Sequence, residues 1–494
     1  MSSGNGSRAS SPTVVVVGAG FGGIGLGIKL RAAGIESFTI LEKADSVGGV
    51  WRDNRYPGLT CDIPSHLYSF SFEPKHDWSR RYPRRAEILA YLEHVADKHR
   101  LREHVRLRTE VASAEFDEGA GRWRVRTTAG DEIEADVLVT ATGQLSRPAY
   151  PDVPGLDSFE GTMFHSAEWP EDCDLTGKRV ASLGTGASAI QFVPEIAPLV
   201  SRLHLFQRSP AWVVPKPDRP YRPRQRALFR RFPWIQALNR WFTYWRFEIV
   251  TLGFTKAPWL IKRYQDEYVK RLRKTVPDPE LAAKLVPDYP IGCKRVLVSN
   301  DYLESLSRPN VELVTERVAE VRPDRVVTDD GVEREVDALI LGTGFQANEF
   351  LAPMAITGLG GRELDDAWRG GAEAYLGLAV SGFPNMFMLY GPNTNLGAGS
   401  ALFMLESQIA YVVEAVRELA RSGARWMDVR SEVQSAFNAD VQRRFEGTVW
   451  TAGCTSWYRT EDGKVVNNWP GFSFEYRLRT RRPDLADYRL AGAA

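Results

Sequence analysis

The sequence contains few cysteines and none in a paired motif. Its 494 residues include four, Cys61, Cys173, Cys293 and Cys454, and no two of them form a CxxC or CxxxxC motif. This pattern argues against a disulfide framework and against a dithiol redox centre. We therefore expect a protein of the reducing cytoplasm.

An excess of charge and long apolar runs are also missing. The 63 Lys and Arg residues nearly balance the 62 Asp and Glu residues, so no overall field attracts nucleic acid or an anionic membrane. No apolar run reaches the roughly 18 to 20 residues of a membrane-spanning helix. The uncharged stretch from Val14 to Ile28 is broken by glycines, which argues against a signal peptide. The expected partners are small molecules, with no nucleic acid and no stable membrane insertion.

Sequence motifs of metal and serine enzymes are absent as well. The seven histidines show no HxxxH or HExxH spacing, and no Cys and His cluster offers tetrahedral ligands. A GxSxG motif is also missing, which argues against covalent acyl chemistry. We expect neither a metal site nor a serine hydrolase.

What the sequence does contain is a repeated unit built around a glycine-rich turn. The first copy is, in order, a strand over 13–17, GAGFGG at 18–23, a helix through Arg31 and a strand ending at Glu42. The second copy is a strand over 179–183, GTGASA at 184–189, a helix over 191–199 and a strand over 203–206. Each copy has a hairpin signal, at 129–131 and 330–331, before a closing strand over 136–144 and 337–345. The pattern predicts an α/β fold with two dinucleotide-binding Rossmann-like domains.

The first turn has the glycines that a bound pyrophosphate requires. Gly18 permits the tight turn, Gly20 lets the backbone approach the phosphates, and Gly23 lets helix and strand pack closely. Glu42 ends the next strand, where its carboxylate accepts hydrogen bonds from ribose hydroxyls and repels a 2′-phosphate. The first site is therefore expected to bind FAD.

The second turn differs at the end of the strand that follows it. Gly184 and Gly186 remain, with Thr185 and Ser188 in the same turn, but the strand ends in Gln-Arg-Ser without a carboxylate. Arg208 can make a bidentate contact with a 2′-phosphate, and Ser209 can add a hydroxyl donor. The second site is therefore expected to bind NADPH.

The repeats and a change in composition between them predict the order of domains. Residues 1–12, rich in Ser and Gly, are interpreted as a disordered lead-in. The domains expected after it are an FAD-binding domain over 13–147 and 380–494, an NADP-binding domain with its linkers over 148–222 and 290–379, and a helical insertion over 223–289.

The helical insertion carries Arg, Trp, Phe and Leu at helical spacing, as in the segment from Trp234 to Tyr264. Such a surface could contact lipid, or it could pack over a cleft while arginine stems cover apolar area. We favour the helix packed over a cleft.

Three further motifs carry a family resemblance. They are FEGTMFHSAEWP over 159–170, which fits FxGxxxHxxxWP, GGVWRDNRYPGLTCD over 48–62, and YPIGCKR over 289–295. With these motifs and GPNTNLGAGS over 391–400, the sequence resembles the type I Baeyer-Villiger monooxygenases over almost its whole length. Glu171 departs from the Asp or His that commonly follows the Trp-Pro ending in this family.

The resemblance implies an FAD-dependent enzyme that consumes NADPH and O₂ and converts a ketone to an ester or lactone through a C4a-peroxyflavin. By the same resemblance Arg295 stabilises the negative charge that develops during the reaction, and Asp62 holds Arg295 in place. Lys294 helps to bind the 2′-phosphate, whereas His165 affects domain movement and is not catalytic. The remaining implied cofactor contacts are Gly49, Trp51, Tyr68 and Val111 along FAD, and Thr60 and Cys61 on the nicotinamide side.

Other functions and several properties stay open at this point. The nearest alternative is a flavin-containing monooxygenase that oxidises sulfur or nitrogen in a small molecule. Another is a pyridine nucleotide-disulfide reductase or a flavin-bound sensor, and the lack of a paired cysteine motif argues against the reductase. A small cyclic ketone and a bulky ketone are both possible substrates, and both a monomer and a homodimer are possible.

Overall fold

A computed structural model describes residues 11–492 of the chain. The predicted lead-in over residues 1–12 lies outside the described residues except for its last two positions. The order of elements matches the predicted repeat of two strand-turn-helix-strand units.

Strands and helices alternate through the first half of the chain. Up to residue 140 they are β1 (Val14–Val17), α1 (Phe21–Ala32), β2 (Phe38–Leu41), α2 (Val50–Asp53), α3 (Arg85–Lys98), β3 (Val105–Arg106), β4 (Val111–Asp117), β5 (Arg122–Thr127), β6 (Glu132–Ala135) and β7 (Val137–Thr140). They continue with β8 (Thr162–His165), β9 (Arg179–Leu183), α4 (Ala189–Ile196), β10 (Arg202–Phe206) and β11 (Val213–Val214).

The second half begins with a run of helices. These are α5 (Pro223–Arg231), α6 (Pro233–Thr255), α7 (Trp259–Thr275) and α8 (Pro279–Lys284). The next elements are β12 (Leu297–Val298), α9 (Tyr302–Ser305), β13 (Val311–Val314), β14 (Val318–Arg322), β15 (Arg325–Thr328), β16 (Glu333–Glu335) and β17 (Ala338–Leu341). The last are β18 (Ala355–Thr357), α10 (Leu364–Ala367), β19 (Met386–Met388), α11 (Ala401–Ser422), β20 (Trp426–Val429), α12 (Ser431–Arg444), α13 (Ser473–Arg479) and β21 (Tyr488–Ala491).

Two parallel five-stranded sheets organise the molecule. The first has the strand order β19-β7-β1-β2-β3 and the second the order β13-β10-β9-β17-β8. The central strand β1 is a run of four buried valines, which is typical of a strand covered on both faces. In each sheet the glycine turn follows a central strand, so each turn lies at the carboxyl edge where nucleotides bind. The predicted α/β fold with two Rossmann-like units is confirmed.

Each unit carries a small antiparallel sheet at the predicted hairpin. Strands β5 and β6 pair across the turn at 129–131, and β4 and β18 extend that sheet. Strands β15 and β16 pair across the turn at 330–331, next to β14. The Gly-containing signals in the sequence therefore mark true hairpins.

The chain returns to the first sheet near its end. Strand β19 pairs with β7, with Phe387 opposite Val139, and the long helix α11 packs against α1. Helices α5 to α8 lie between β11 and β12, two short strands that pair with each other. Within residues 11–492, no helix is long and apolar enough to cross a membrane.

Gly23 offers a direct test of the packing at the first turn. A Cβ atom at this position would lie 1.9 Å from the carbonyl oxygen of Gly18, a backbone atom that cannot move aside. We expect Gly23→Ala to lower the free energy of unfolding by about 1 to 3 kcal/mol, the usual range for overpacking. Chemical denaturation measures this change. Gly370→Ala, where a Cβ would meet no atom within 4 Å, is the control and should leave the free energy unchanged.

Candidate functional site

The carboxyl edges of the two parallel sheets open into one cavity of about 1370 Å³. It is lined by almost every candidate residue, namely Gly18, Gly20, Glu42, Gly49, Trp51, Thr60, Cys61, Asp62, Tyr68, Val111, Gly184, Thr185, Gly186, Ser188, Arg208, Ser209, Lys294 and Arg295. Gly23 does not line the cavity and lies behind the turn, as its predicted packing role requires. The fold thus brings together residues that are far apart in the sequence.

The first glycine turn presents backbone amides to this cavity. Gly18 has φ +106°, a conformation that L side chains rarely adopt, and helix α1 begins after Gly20 without a side-chain cap. Uncapped amides at a helix N-terminus form an anion site. This local structure suits the pyrophosphate of a dinucleotide.

Glu42 is placed at the end of β2 as predicted, but its carboxylate already has protein partners. It accepts hydrogen bonds from the backbone N–H of Ala19 at 2.8 Å and of Ala44 at 3.0 Å, and it lies 3.2 Å from Nη1 of Arg52. An ionised carboxylate accepts about four hydrogen bonds, so one acceptor position is left for a ribose hydroxyl. Glu42 therefore shapes the turn as well as offering an acceptor to the cavity.

The segment from Gly48 to Asp62 forms the wall beside the first turn. Nε1 of Trp51 donates to the hydroxyl of Tyr68 at 3.1 Å, and their rings meet edge to face with centroids 5.6 Å apart. Val111 begins β4 and lines the same cavity. These side chains make an aromatic and aliphatic wall of the kind that a planar ring system packs against.

The second glycine turn has more open space and a positive rim. A Cβ at Gly186 would meet no protein atom within 4 Å, so the turn leaves room for a ligand. Nζ of Lys294 donates to Oγ of Ser209 at 2.9 Å. Burial, together with the charge of Arg208, lowers the pKa of Lys294 below its ordinary value. The fold therefore gathers Arg208, Ser209 and Lys294, although 85 positions separate Ser209 from Lys294 in the sequence.

The two cations at this rim lack a carboxylate partner. Within the described part of the chain, neither Arg208 nor Lys294 forms a salt bridge. Two close positive charges repel each other, and a phosphate dianion between them would relieve that repulsion. The arrangement fits a 2′-phosphate better than it fits a free ribose.

Arg295 and Asp62 form an ion pair in the wall between the two turns. Nη2 of Arg295 donates to Oδ2 of Asp62, and part of each side chain is exposed to the cavity. Asp62 raises the pKa of Arg295. Burial opposes ionisation of Asp62, but the charge and hydrogen bond of Arg295 outweigh it and hold the pKa of this carboxyl below its ordinary value. Both groups are charged at neutral pH, and the pair is lost only as the pH falls through the lowered pKa of Asp62.

Several residues of this wall were not singled out from the sequence. The hydroxyl of Tyr390 donates to Oδ1 of Asn395 at 2.6 Å, and Tyr390 has φ +64°, a strained value for a bulky residue. Burial raises the pKa of Tyr390 and raises that of Tyr458 to about 12, although the charge of Arg295 opposes both shifts. The hydroxyls therefore stay neutral around the guanidinium. Of these three residues, only Asn395 lies in a motif quoted from the sequence, the GPNTN segment.

Two other missed residues join the two units. Gln191 on α4 accepts from the N–H of Thr60 and donates to its carbonyl oxygen, both at 3.1 Å. Nζ of Lys216 donates to Oγ1 of Thr60, and burial lowers the pKa of Lys216. These contacts link the wall segment of the first unit to the second unit. Nothing in the spacing of the sequence indicates them.

The FxGxxxHxxxWP motif lies at the joint between the units and reaches the cavity only through Ser166. His165 is fully buried, and its Nδ1 accepts from the N–H of Ala167 at 3.1 Å. Trp169 packs against Phe192 of α4 with ring centroids 5.4 Å apart, and Glu171 pairs with Arg55. His165 itself does not line the cavity, although its neighbour Ser166 does.

The expectation about cysteine pairing is wrong. Cys293 and Cys454 form a disulfide, with Cα atoms 6.2 Å apart, across 161 residues of sequence. The pairing is not visible in the sequence because only the folded chain brings the two segments together. Neither sulfur lines the cavity, so this disulfide is not the dithiol centre of a reductase.

The disulfide predicts a thiol count that is easily checked. Protein denatured without reductant should show two titratable thiols, those of Cys61 and Cys173, and four after reduction. Because the bond closes a long loop, Cys454→Ser is expected to lower the free energy of unfolding by about 2 to 5 kcal/mol. Four thiols without reduction would contradict the pairing. Cys173→Ser is the control, and it should lower the count by one with little effect on stability.

Comparisons with known proteins agree with one another, and those with individual relatives extend over nearly the full chain. A family model described as pyridine nucleotide-disulphide oxidoreductase matches residues 15–232. A Baeyer-Villiger monooxygenase of Pseudomonas aeruginosa is 46% identical over 479 residues, which cover 97% of this chain and 91% of the relative. One of Streptomyces coelicolor is 47% identical over 479 residues, with 97% and 92% covered.

Solved structures give the same result. An oxidised steroid monooxygenase bound to NADP superposes with a TM-score of 0.87 at 33% identity, covering 98% of this chain and 100% of that one. A closed cyclohexanone monooxygenase has a TM-score of 0.87 at 30% identity, with 98% and 99% covered.

Proposed function

The chain belongs to the Baeyer-Villiger monooxygenases, and on that premise we propose that Arg295, held by Asp62, is the catalytic group of its ketone oxidation. The enzyme consumes NADPH and O₂ and converts a ketone to an ester or lactone. FAD, when bound, supplies the transfer of electrons from NADPH to dioxygen. The observation that carries the proposal is the Arg295–Asp62 pair facing the cavity between the two glycine turns.

Arg295 suits this role because its charge is permanent. A guanidinium cannot be deprotonated at neutral pH, so it stabilises developing negative charge without giving up a proton. In ketone oxidation that charge develops on the carbonyl oxygen when the carbonyl carbon is attacked. Asp62 acts as a positioning residue, since it fixes one edge of the guanidinium and leaves other N–H donors free for the substrate.

The cofactors are proposed to occupy the two turns. FAD would be held by the amides after Gly20, by Glu42 and Gly49, and by the wall of Trp51, Tyr68 and Val111. NADP would be held by the second turn at Gly184, Thr185, Gly186 and Ser188, with its 2′-phosphate between Arg208, Ser209 and Lys294. Thr60 and Cys61 lie between the two turns and are assigned to the nicotinamide side.

The surroundings of Arg295 favour an apolar ketone. Ile63, Leu396 and Leu402 line the same cavity as Arg295, and the charge of Arg295 reaches the neutral hydroxyls of Tyr390 and Tyr458. Few charges compete with a carbonyl oxygen for the guanidinium, and an apolar lining strengthens every electrostatic contact within it.

We assign the domains as the sequence predicted them. The FAD domain is 13–147 with 380–494, supported by the pairing of β19 with β7. The NADP domain is 148–222 with 290–379, and 223–289 is the helical insertion. For the oligomeric state we propose a monomer or a homodimer. We propose a cytoplasmic location, with which the Cys293–Cys454 disulfide is compatible because both residues are buried and thiol exchange requires access.

The test is a substrate panel. The purified protein, saturated with FAD, is mixed with NADPH and air and offered apolar cyclic ketones, linear ketones and the thioethers of matching size. We expect ketone-dependent NADPH oxidation with an equal amount of ester or lactone. Oxidation of thioethers without any ester would assign the chain to heteroatom oxidation and contradict the proposal.

A further inference from the structure

Helix α6 buries several polar side chains and exposes a stripe of apolar ones. The buried residues of the helix include Gln236, Thr243, Glu248 and Thr251. The residues at the other helical positions, Trp234, Leu238, Trp241, Trp245 and Ile249, form one exposed stripe. A helix that covers a core shows the opposite arrangement. The sequence favoured a helix packed over a cleft with arginine stems covering apolar area, and the exposed stripe shows that much of this apolar area stays uncovered.

The inward polar face is firmly attached, so the outward apolar face is fixed by the fold. Nε2 of Gln236 donates to the carbonyl oxygen of Lys75 at 2.9 Å, and Nη1 of Arg240 donates to that of Ser69 at 2.9 Å. Glu248 accepts from the N–H of Ser473 at 3.2 Å. Rotating α6 to bury the stripe would break these buried contacts.

The stripe belongs to a larger aromatic surface. Of the 19 large hydrophobic residues exposed in the described part of the chain, 12 lie between Leu228 and Tyr264. They include four tryptophans, whose exposed fractions are 64% for Trp234, 53% for Trp241, 40% for Trp245 and 74% for Trp259. We call the exposed hydrophobic residues of α6 and α7, from Trp234 to Tyr264, the aromatic surface. Exposed apolar patches of this kind mark a binding surface.

The charges along the segment that carries the aromatic surface are mostly positive, and the two exposed acidic residues of α7, Asp266 and Glu267, follow it directly. Residues 222–264 contain ten Lys and Arg against one acidic residue, Glu248, which is buried. Eight of the ten cations are exposed, among them Arg230, Arg231, Arg246 and Lys262. The rest of the chain has 53 basic and 61 acidic residues, so the near-neutral total hides a local positive field.

We propose that the aromatic surface binds reversibly to the anionic lipid surface of a membrane. Tryptophan is favoured at the lipid headgroup boundary, and flanking arginines and lysines are attracted by anionic headgroups. A second copy of this chain is disfavoured as the occupant, because a two-fold contact would set the same cations against each other. The proposal does not depend on the reaction that the enzyme carries out.

The aromatic surface lies outside the wall of the substrate cavity. The ring of Tyr244 on the inner side of α6 stacks on Phe403 of α11 with centroids 4.8 Å apart. Leu396, Gly399 and Leu402, close to Phe403 in the chain, line the cavity. A bound membrane would therefore be separated from the cavity by one layer of structure.

Vesicle co-sedimentation of the full-length protein tests the proposal. We expect wild type to sediment with vesicles of equimolar phosphatidylglycerol and phosphatidylcholine, to stay in solution with pure phosphatidylcholine, and to be released as salt rises. The double variant Trp234→Ser/Trp241→Ser should bind at least about tenfold more weakly, because it loses two interfacial anchors. Leu199→Ser removes an apolar residue outside the aromatic surface that is exposed to the same 53% as Trp241, and it should bind like wild type.

Thermal unfolding of all three proteins serves as the control that the exposed substitutions leave the fold intact. Wild type that stays in solution with anionic vesicles, or a double variant that binds like wild type, would overturn the proposal. Sedimentation velocity supplies another outcome: a dimer that the double variant dissociates, without vesicle binding, would show self-association and also overturn it.

Discussion

Arg295→Lys should lower kcat for ketone oxidation by about 10² to 10³, the usual cost of losing a preorganised donor to a developing oxyanion. Lysine keeps the positive charge but not the planar set of five donors that can contact Asp62 and a substrate oxygen together. The KM for NADPH should change little, because Arg295 is not one of the residues proposed to bind the 2′-phosphate. Steady-state kinetics with a ketone, measured by ester formation, gives both values.

Two variants separate this role from simple loss of stability. Asp62→Asn leaves the guanidinium charged but less firmly oriented, so kcat should fall by a smaller factor, about tenfold, the cost of one charge-assisted hydrogen bond. Arg334→Lys alters another partly buried arginine, which pairs with Glu312 at 2.9 Å away from the cavity, and kcat should not change. Ester formation by Arg295→Lys at the wild-type rate would remove Arg295 from the mechanism.

The second large effect concerns the choice of nucleotide. Arg208→Ala and Lys294→Ala should each raise KM for NADPH by about 10- to 100-fold, since each loses a charged hydrogen bond to phosphate worth about 1.5 to 3 kcal/mol. The KM for NADH, which has no 2′-phosphate, should stay the same or fall. Kinetics with both nucleotides measures this change of preference.

The control for this prediction is Arg202→Ala, an arginine on β10 that contacts Glu312 at 3.3 Å and lies outside the cavity. It should leave both KM values unchanged. If Arg208→Ala raised the KM for NADH as much as that for NADPH, the residue would act on the shared part of the nucleotide. The proposed 2′-phosphate site would then be wrong.

The Rossmann-like units could be predicted because their signals are local. Gly18, Gly23 and Gly184 stand where backbone conformation or close packing tolerates no side chain, and this requirement is written in short stretches of sequence. The hairpins at 129–131 and 330–331 were found for the same reason. The role of Arg295 came from the family resemblance, and no spacing in the sequence indicates that it pairs with Asp62, 233 positions away.

Features that depend on tertiary contacts could not be predicted. The Cys293–Cys454 disulfide and the contacts of Gln191 with Thr60 join segments that only the fold brings together. The helix over 233–255 shows a different limit. Periodicity tells which residues share a face, but the burial of Gln236 and Glu248 depends on partners elsewhere in the chain.

The most direct test of the central claim is to follow the oxygen atom. The enzyme is supplied with NADPH, a ketone that it accepts and ¹⁸O₂, and the product is analysed by mass spectrometry. We predict an ester or lactone that carries one ¹⁸O atom, formed in a one-to-one ratio with the NADPH consumed. NADPH consumption that yields only labelled hydrogen peroxide, across the whole ketone panel, would contradict a Baeyer-Villiger oxidation at Arg295.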